Sequence, residues 1–357
     1  MTVSSIFLRH HALRWIVPTG VAGIVALGAS GVLTAQASTN LPARTAAQLL
    51  ADVEGAHVDG LSGTIVAKSS LGVRGLPDSV STGSGLLGLL SGSHTARVWF
   101  AGPQKQRFAM LDALSETDVF HNGRDLWTYD SSTHAATHTQ LPPKSSQDQP
   151  DPAVTPALTP EQAAEQALKA IDPTTVVSTD SARRVAGRAA YELVLAPRDV
   201  SSRVGSVRIA IDGKTKMPLG VQVYAKGGRS PAIDISYTRI NLTVPDADNF
   251  TFRPPKSVKV KETPMTPGSG TTANQAGPTT IGKGWTTVVR ARLADIDASG
   301  AEKSYLDRLP KVTWKGGAGR LFEVNSGLVT ALITDDGWVY AGAVDKNVLI
   351  AAAAQHK

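Results

Sequence analysis

Apolar positions along this chain recur in two rhythms, and the places where the rhythm changes mark the elements. From Thr45 the spacing is helical. Ala46, Leu49, Leu50 and Val53 share one face, Thr45 and Gln48 are spaced as a capping box, and Gly55 supplies a stop. Period-two segments follow over Leu61–Ser69, Thr95–Ala101, Gln104–Leu111, Glu116–His121, Asp125–Tyr129 and Ala136–Leu141, with Asn122-Gly123 as a tight turn. After a Pro- and Ser-rich stretch over 142–156, Thr159, Pro160 and Gln162 open a second capped helix whose stripe is Ala164, Ala167, Leu168 and Ile171. Alternation then resumes through Tyr191, Leu193 and Leu195, through Val207, Ile209 and Ile211, through Val221 and Val223, and through Ile233, Ile235 and Tyr237. Asp212-Gly213 marks a hairpin.

The pattern predicts an α+β fold in which about ten antiparallel strands are covered on one face by two helices, because the connections are short. A sheet that wide has to curl to protect its edges. Space on its inner side that the helices leave unfilled is an apolar cavity suited to a hydrophobic ligand. Four spans follow: an export segment at 1–37, the half-barrel at 38–262, a Thr-, Gly- and Pro-rich flexible linker at 263–283, and a small α+β module at 284–357.

The N-terminus speaks for export. Arg9 and Arg14 precede an apolar run from Trp15 to Leu33, and Ala35-Gln36-Ala37 places small residues where a signal peptidase needs them. The run is a cleaved signal peptide or an uncleaved membrane anchor; in either case the bulk of the chain is extracytoplasmic, in the periplasm or cell envelope. Composition agrees with a globular protein, since 357 residues are 41% hydrophobic and 18% charged. The absence of cysteine excludes disulfides, thiolate metal sites, a catalytic thiol and a lipidated cysteine. Its 36 basic and 30 acidic residues are interspersed, so the net +6 gives no reason to expect a nucleic-acid partner.

The chemistry-bearing residues do not assemble into a catalytic pattern. His121, His134 and His138 stand near one another without a carboxylate at metal-site spacing, and read as exposed strand histidines. Asp246, Asp248 and Asn249 lack the glycine and terminal glutamate of a calcium loop and read as a turn. No nucleophile elbow, P-loop or dinucleotide fingerprint occurs. The expectation is a non-enzyme, monomeric, without cofactor or metal.

Four stretches, in order, carry a family resemblance: TARVWFAGPQKQRFAM at 95–110, DVFHNGRDLWTYDSST at 118–133, LVLAPRDVSSRVGSVRIAID at 193–212 and NFTFRPPKSVKV at 249–260. They resemble the bacterial lipoprotein carrier LolA and its relatives, among them mycobacterial lipid carriers and the sensor domain of RseB. The resemblance implies a half-open antiparallel β-barrel plugged by α-helices, whose enclosed apolar space takes acyl chains. On that reading Trp99, Phe108, Met110, Trp127 and Tyr129 are cavity candidates, with core aromatics as the alternative for any one of them. Two features depart from the family. The lid arginine before the turn proline is replaced by Gly102, and an inserted segment over 70–94 carries Leu86, Leu87, Leu89 and Leu90, either a flap at the mouth or a short packed helix. Two functions are expected: a binding or carrier protein for a lipid or acylated protein, or an RseB-like envelope regulator that holds an anti-sigma factor or other membrane protein and responds to lipid.

Overall fold

A computed structural model describes residues 41–71, 91–141, 159–263, 278–292, 308–324 and 326–355. The expected export segment and the four leucines expected to form a flap or a packed helix lie outside these residues. Among the described residues no helix is long and apolar enough to cross a membrane.

The first helix, α1 (Ala46–Glu54), has both bonds of its capping box: Gln48 N–H donates to Thr45 Oγ1, and Thr45 N–H donates to Gln48 Oε1. Six strands follow, β1 (Leu61–Ser70), β2 (Ser91–Phe100), β3 (Lys105–Leu111), β4 (Glu116–Asn122), β5 (Asp125–Asp130) and β6 (Ala135–Gln140). Each pairs antiparallel with the next, and Gly123 takes the positive φ that the β4–β5 turn requires. Helix α2 (Pro160–Lys169) is capped by Thr159, with proline in its first turn. Five more antiparallel strands complete the run, β7 (Thr175–Val185), β8 (Arg188–Pro197), β9 (Val204–Asp212), β10 (Pro218–Ala225) and β11 (Ile233–Asn241).

β11 closes back on β1, so the two runs join side by side into one sheet. A last strand, β12 (Lys259–Glu262), adds to β6 in parallel, and the order becomes β12-β6-β5-β4-β3-β2-β1-β11-β10-β9-β8-β7. This 12-stranded sheet exceeds the ten strands expected from the pattern because β7 and the short β12 carry little alternation. It is strongly curled, since β7 comes back into contact with β11 four places along the order. It does not close, because β12 and β7 remain its edges.

The core lies on the inner, helix-covered face. Leu49 of α1 and Ala164 of α2 pack on Tyr191, Leu193, Leu195, Val207, Ile209, Ile211 and Val221. Leu193, Leu195 and Ile209 are fully buried, each contributing roughly 1.5–3 kcal/mol of transfer free energy. A second cluster joins Leu61, Ile65, Val98 and Phe108 to Val185, Met217, Leu219 and Tyr237 from the other limb of the curled sheet.

The C-terminal part builds a second sheet from β13 (Thr279–Ile281), β14 (Val288–Arg292), β15 (Lys311–Trp314), β16 (Gly317–Glu323), β17 (Thr330–Thr334) and β18 (Trp338–Gly342), with α3 (Lys346–Gln355) packed on β17 and β18. Trp285 sits in a 3₁₀ turn (Gly284–Thr286), and β13 uses residues assigned from composition to the linker. This sheet has its own core around Leu332, Tyr340, Val344 and Leu349. It also docks on the large sheet. Val324 and Leu328 share a cluster with Leu71, Ala225 and Ala232, and the Trp285 indole N–H donates to Thr175 Oγ1 at 2.7 Å. Arg203 ties the junction by pairing with Glu323, donating to Gly327 O at 2.9 Å and lying 3.4 Å from Asp345.

Candidate functional site

Side chains alternate across a pleated strand, so cross-strand register decides which residues can share a surface. Val98 stands opposite Phe108, and Phe108 opposite Val119. Met110 and Leu126 fall on this same inner face by parity. Phe108 is buried in the core, whereas Met110, Val119 and Leu126 are only half-buried. The inner wall of β3–β5 therefore carries half-buried apolar positions, of which Met110 packs on the core, interspersed with Gln106, Thr117, His121 and Thr128 of the same parity.

The other three cavity candidates lie on the opposite face. Trp99 stands opposite Arg107, Arg107 opposite Phe120, Phe120 opposite Trp127, and Trp127 opposite His138, one straight row across five strands. Tyr129 has the parity of Trp127. The Arg107 guanidinium lies 4.5 Å from the centroids of both Trp99 and Phe120, a cation held between two rings. Trp127 and His138 stack at 4.2 Å. The row is roofed by the chain that returns after β11, as Phe252 sits 5.1 Å from Phe120 and 5.3 Å from both Trp127 and Tyr129. The five candidates thus divide, with Phe108 and Met110 inside and Trp99, Trp127 and Tyr129 outside. Clustering by sequence segment could not separate them, because adjacent strands place neighbours of opposite parity on opposite faces.

Charge is threaded through the outer row. Arg107 donates from Nε and Nη2 to Asp118 Oδ1 at 2.9 and 2.8 Å, and burial nevertheless lifts Asp118 to about 6, against the pull of that arginine. His138 is not the exposed strand histidine its surroundings in sequence suggest. Its ring nitrogens lie 2.9 Å from Asp125 Oδ1 and 2.8 Å from Glu262 Oε2. Burial opposes its protonation, but the two carboxylates outweigh burial and raise its pKa. Glu262, 124 residues away in sequence, is brought there by the parallel pairing of β12 with β6. His121 is likewise buried, with Nε2 3.0 Å from Gly123 O, and only His134, at a left-handed turn position, is exposed.

One further polar group stands among the core contacts. Glu161, in the first turn of α2, accepts a 2.9 Å hydrogen bond from the Tyr237 hydroxyl, and burial pushes its carboxyl up to about 7. The Tyr237 phenol is pushed far above its usual range by the same burial and by the carboxylate. Nothing in the spacing of Glu161 signalled this, since an acidic residue in a first turn normally reads as a solvated dipole partner.

These features define a class: an open, curled antiparallel sheet with helices on its inner face, a half-buried apolar inner wall and a roofed aromatic row outside. Neither a protein-family model nor a curated protein matches the chain. The solved structures similar to it include Pseudomonas aeruginosa MucB in complex with MucA, at 16% identity and TM-score 0.42 over 86% of this chain and 96% of that one. A LolA superfamily protein from Nitrosomonas europaea is similar at 12% identity and TM-score 0.24, over 59% of this chain and 99% of that one. An outer membrane lipoprotein-sorting domain from Vibrio parahaemolyticus, described as putative in its structure's own name, follows at 11% identity and TM-score 0.22, over 57% and 94%.

Proposed function

We propose that the chain is an exported, non-enzymatic binding protein that shields an acyl chain, of a lipid or an acylated protein, against the inner wall of its half-open sheet. The observation that carries this reading is the set of half-buried apolar side chains Met110, Val119 and Leu126 on the inner face, with Met110 packed on the core that holds Phe108 and Val98. Each methylene buried there contributes roughly 0.8 kcal/mol, so a partly enclosed chain reaches useful affinity. Titration of the full chain with a fluorescent fatty acid should give saturable binding that Met110→Asp with Leu126→Asp weakens at least ten-fold. Absence of saturable binding to the wild type would sink the reading.

A second reading rests on the docked module. A six-stranded sheet fixed to the large one through Arg203 and a shared apolar cluster offers a composite surface for a membrane-protein partner, as a lipid-responsive regulator requires. Arg203→Glu should loosen that junction. A carrier keeps lipid binding and loses nothing else, whereas a regulator keeps lipid binding and loses partner capture.

A further inference from the structure

We propose that the open cleft beside Trp99 on the outer face of the sheet binds a phosphate group, gripped by Arg97 and Arg239. The cleft has a volume of about 280 Å³, and its lining includes Ser62, Thr64, Arg97, Trp99, Arg239 and Asn241 but no carboxylate.

The geometry begins with register. Thr64 stands opposite Arg97 on β2 and opposite Arg239 on β11, so two arginines flank one threonine in a straight row. In the next row on the same face, Ser62 stands between Trp99 and Asn241. A regular β11 could not make this arrangement. Tyr237 faces Ile65 on the inner side, and simple alternation would put Arg239 inside as well. The pairing skips a residue, Thr238, between the Thr64–Arg239 and Ile65–Tyr237 pairs, which turns Arg239 outward and Ile240 inward onto the core. Gly63 admits the distortion, since a Cβ there would lie 2.7 Å from the Tyr237 ring and 2.8 Å from Arg239 O.

The charge is unspent. Arg107, Arg188, Arg203 and Arg208 each pair with a carboxylate, whereas among the described residues Arg97 and Arg239 are exposed and have no such partner. Two guanidinium groups supply forked donors and a double positive charge, which suit phosphate oxygens better than a single carboxylate. The hydroxyls of Ser62 and Thr64 add donors. Asn241 Oδ1 already accepts the Thr243 N–H at 3.1 Å, so its amide NH₂ is the end left for a ligand. Trp99 forms an apolar wall, held from β3 by the Arg107 guanidinium, whose own charge is neutralised by Asp118. The group bound is thus a phosphate carrying an apolar or planar neighbour, from a phospholipid headgroup or from a free phosphoester.

The test compares the full chain with Arg97→Gln/Arg239→Gln, and with Arg229→Gln/Arg253→Gln as a control that removes the same charge elsewhere. Calorimetric titration with inorganic phosphate should show binding to wild type and control that the cleft variant loses by at least ten-fold, with the melting temperature unchanged. Co-sedimentation with phosphatidylglycerol and phosphatidylcholine vesicles identifies the source: arginine-dependent binding to vesicles means a headgroup, and arginine-dependent phosphate binding without it means a free phosphoester. Phosphate and vesicle binding that are the same in the cleft variant as in the control, or absent from the wild type, overturn the proposal.

Discussion

Glu161→Gln isolates the cost of the buried carboxyl under α2. The side chain has an ordinary value of 4.5 and stands at about 7 when folded, raised by burial against the pull of the Tyr237 hydroxyl that donates to it. A raised pKa favours the protonated folded protein, so the associated stability is complete below pH 4.5 and is lost as pH rises through 7. At 1.36 kcal/mol per pH unit the full window is worth about 3 kcal/mol. Glu161 keeps some solvent contact, which reduces the expectation to about 1–2 kcal/mol. Glutamine preserves the acceptor for Tyr237 and never ionises. The variant should therefore match the wild type near pH 4 and exceed it above pH 7.5, by roughly 3–6 °C in melting temperature. Differential scanning calorimetry of both proteins from pH 4 to pH 8 reads the difference, and effects of every other titrating group cancel in the comparison. A constant gap across that range would refute the reasoning.

Asp212 has the opposite sign. Its two oxygens take Arg188 at 2.7 and 2.8 Å, and although burial alone would raise it, these bonds and those from Thr215 hold the carboxyl at about 2. Its stability is present above pH 3.8 and lost as pH falls through 2, so Asp212→Asn should cost about 2 kcal/mol at pH 7 and nothing near pH 2, as urea melts will show. Phe252→Ala removes the roof over the outer aromatic row; about 2 kcal/mol of stability and a red shift of tryptophan emission should follow, and unchanged emission would mean the roof is not there in solution. Deleting Thr238 removes the extra residue and leaves Tyr237, Arg239 and Ile240 in plain alternation opposite Ile65, Thr64 and Gly63, so Arg239 stays outward and a cooperative thermal transition should survive; its loss would refute the assigned register.

Local signals were legible in the sequence because local chemistry fixes them. The capping residues Thr45 and Thr159, the turns at Asn122-Gly123 and Asp212-Gly213, and most strand segments stand where periodicity and turn preference put them. The expected export segment and the four leucines of the inserted segment fall outside the described residues. What the pattern could not carry is anything set by register between distant strands. Trp99 and Phe108 look equivalent in sequence, yet they occupy opposite faces because parity depends on the pairing partner. His138 acquires Glu262 only through a parallel pairing of strands far apart in the chain. The two-arginine cleft depends on a single skipped residue in β11, and alternation counted along β11 alone assigns Arg239 to the wrong side. Glu161 is perturbed by a helix landing on a sheet, an event with no local signature.

The parallel strand β12 gives the chain a closed circuit. Between leaving the large sheet at β12 and rejoining it through the docked C-terminal module, the polypeptide forms a loop with two clasps. One is the β6–β12 seam with the Glu262–His138–Asp125 bridge, and the other is Arg203 with Glu323 and Asp345. Each clasp holds its end when the other opens, so the effective concentration of the parted surfaces stays high and re-closure is intramolecular. Both fastenings include partly exposed ion pairs, which salt screens together. Ionic strength is therefore a single lever on the ionic part of both clasps, while the apolar cluster of Val324 and Leu328 with Leu71, Ala225 and Ala232 keeps the module seated.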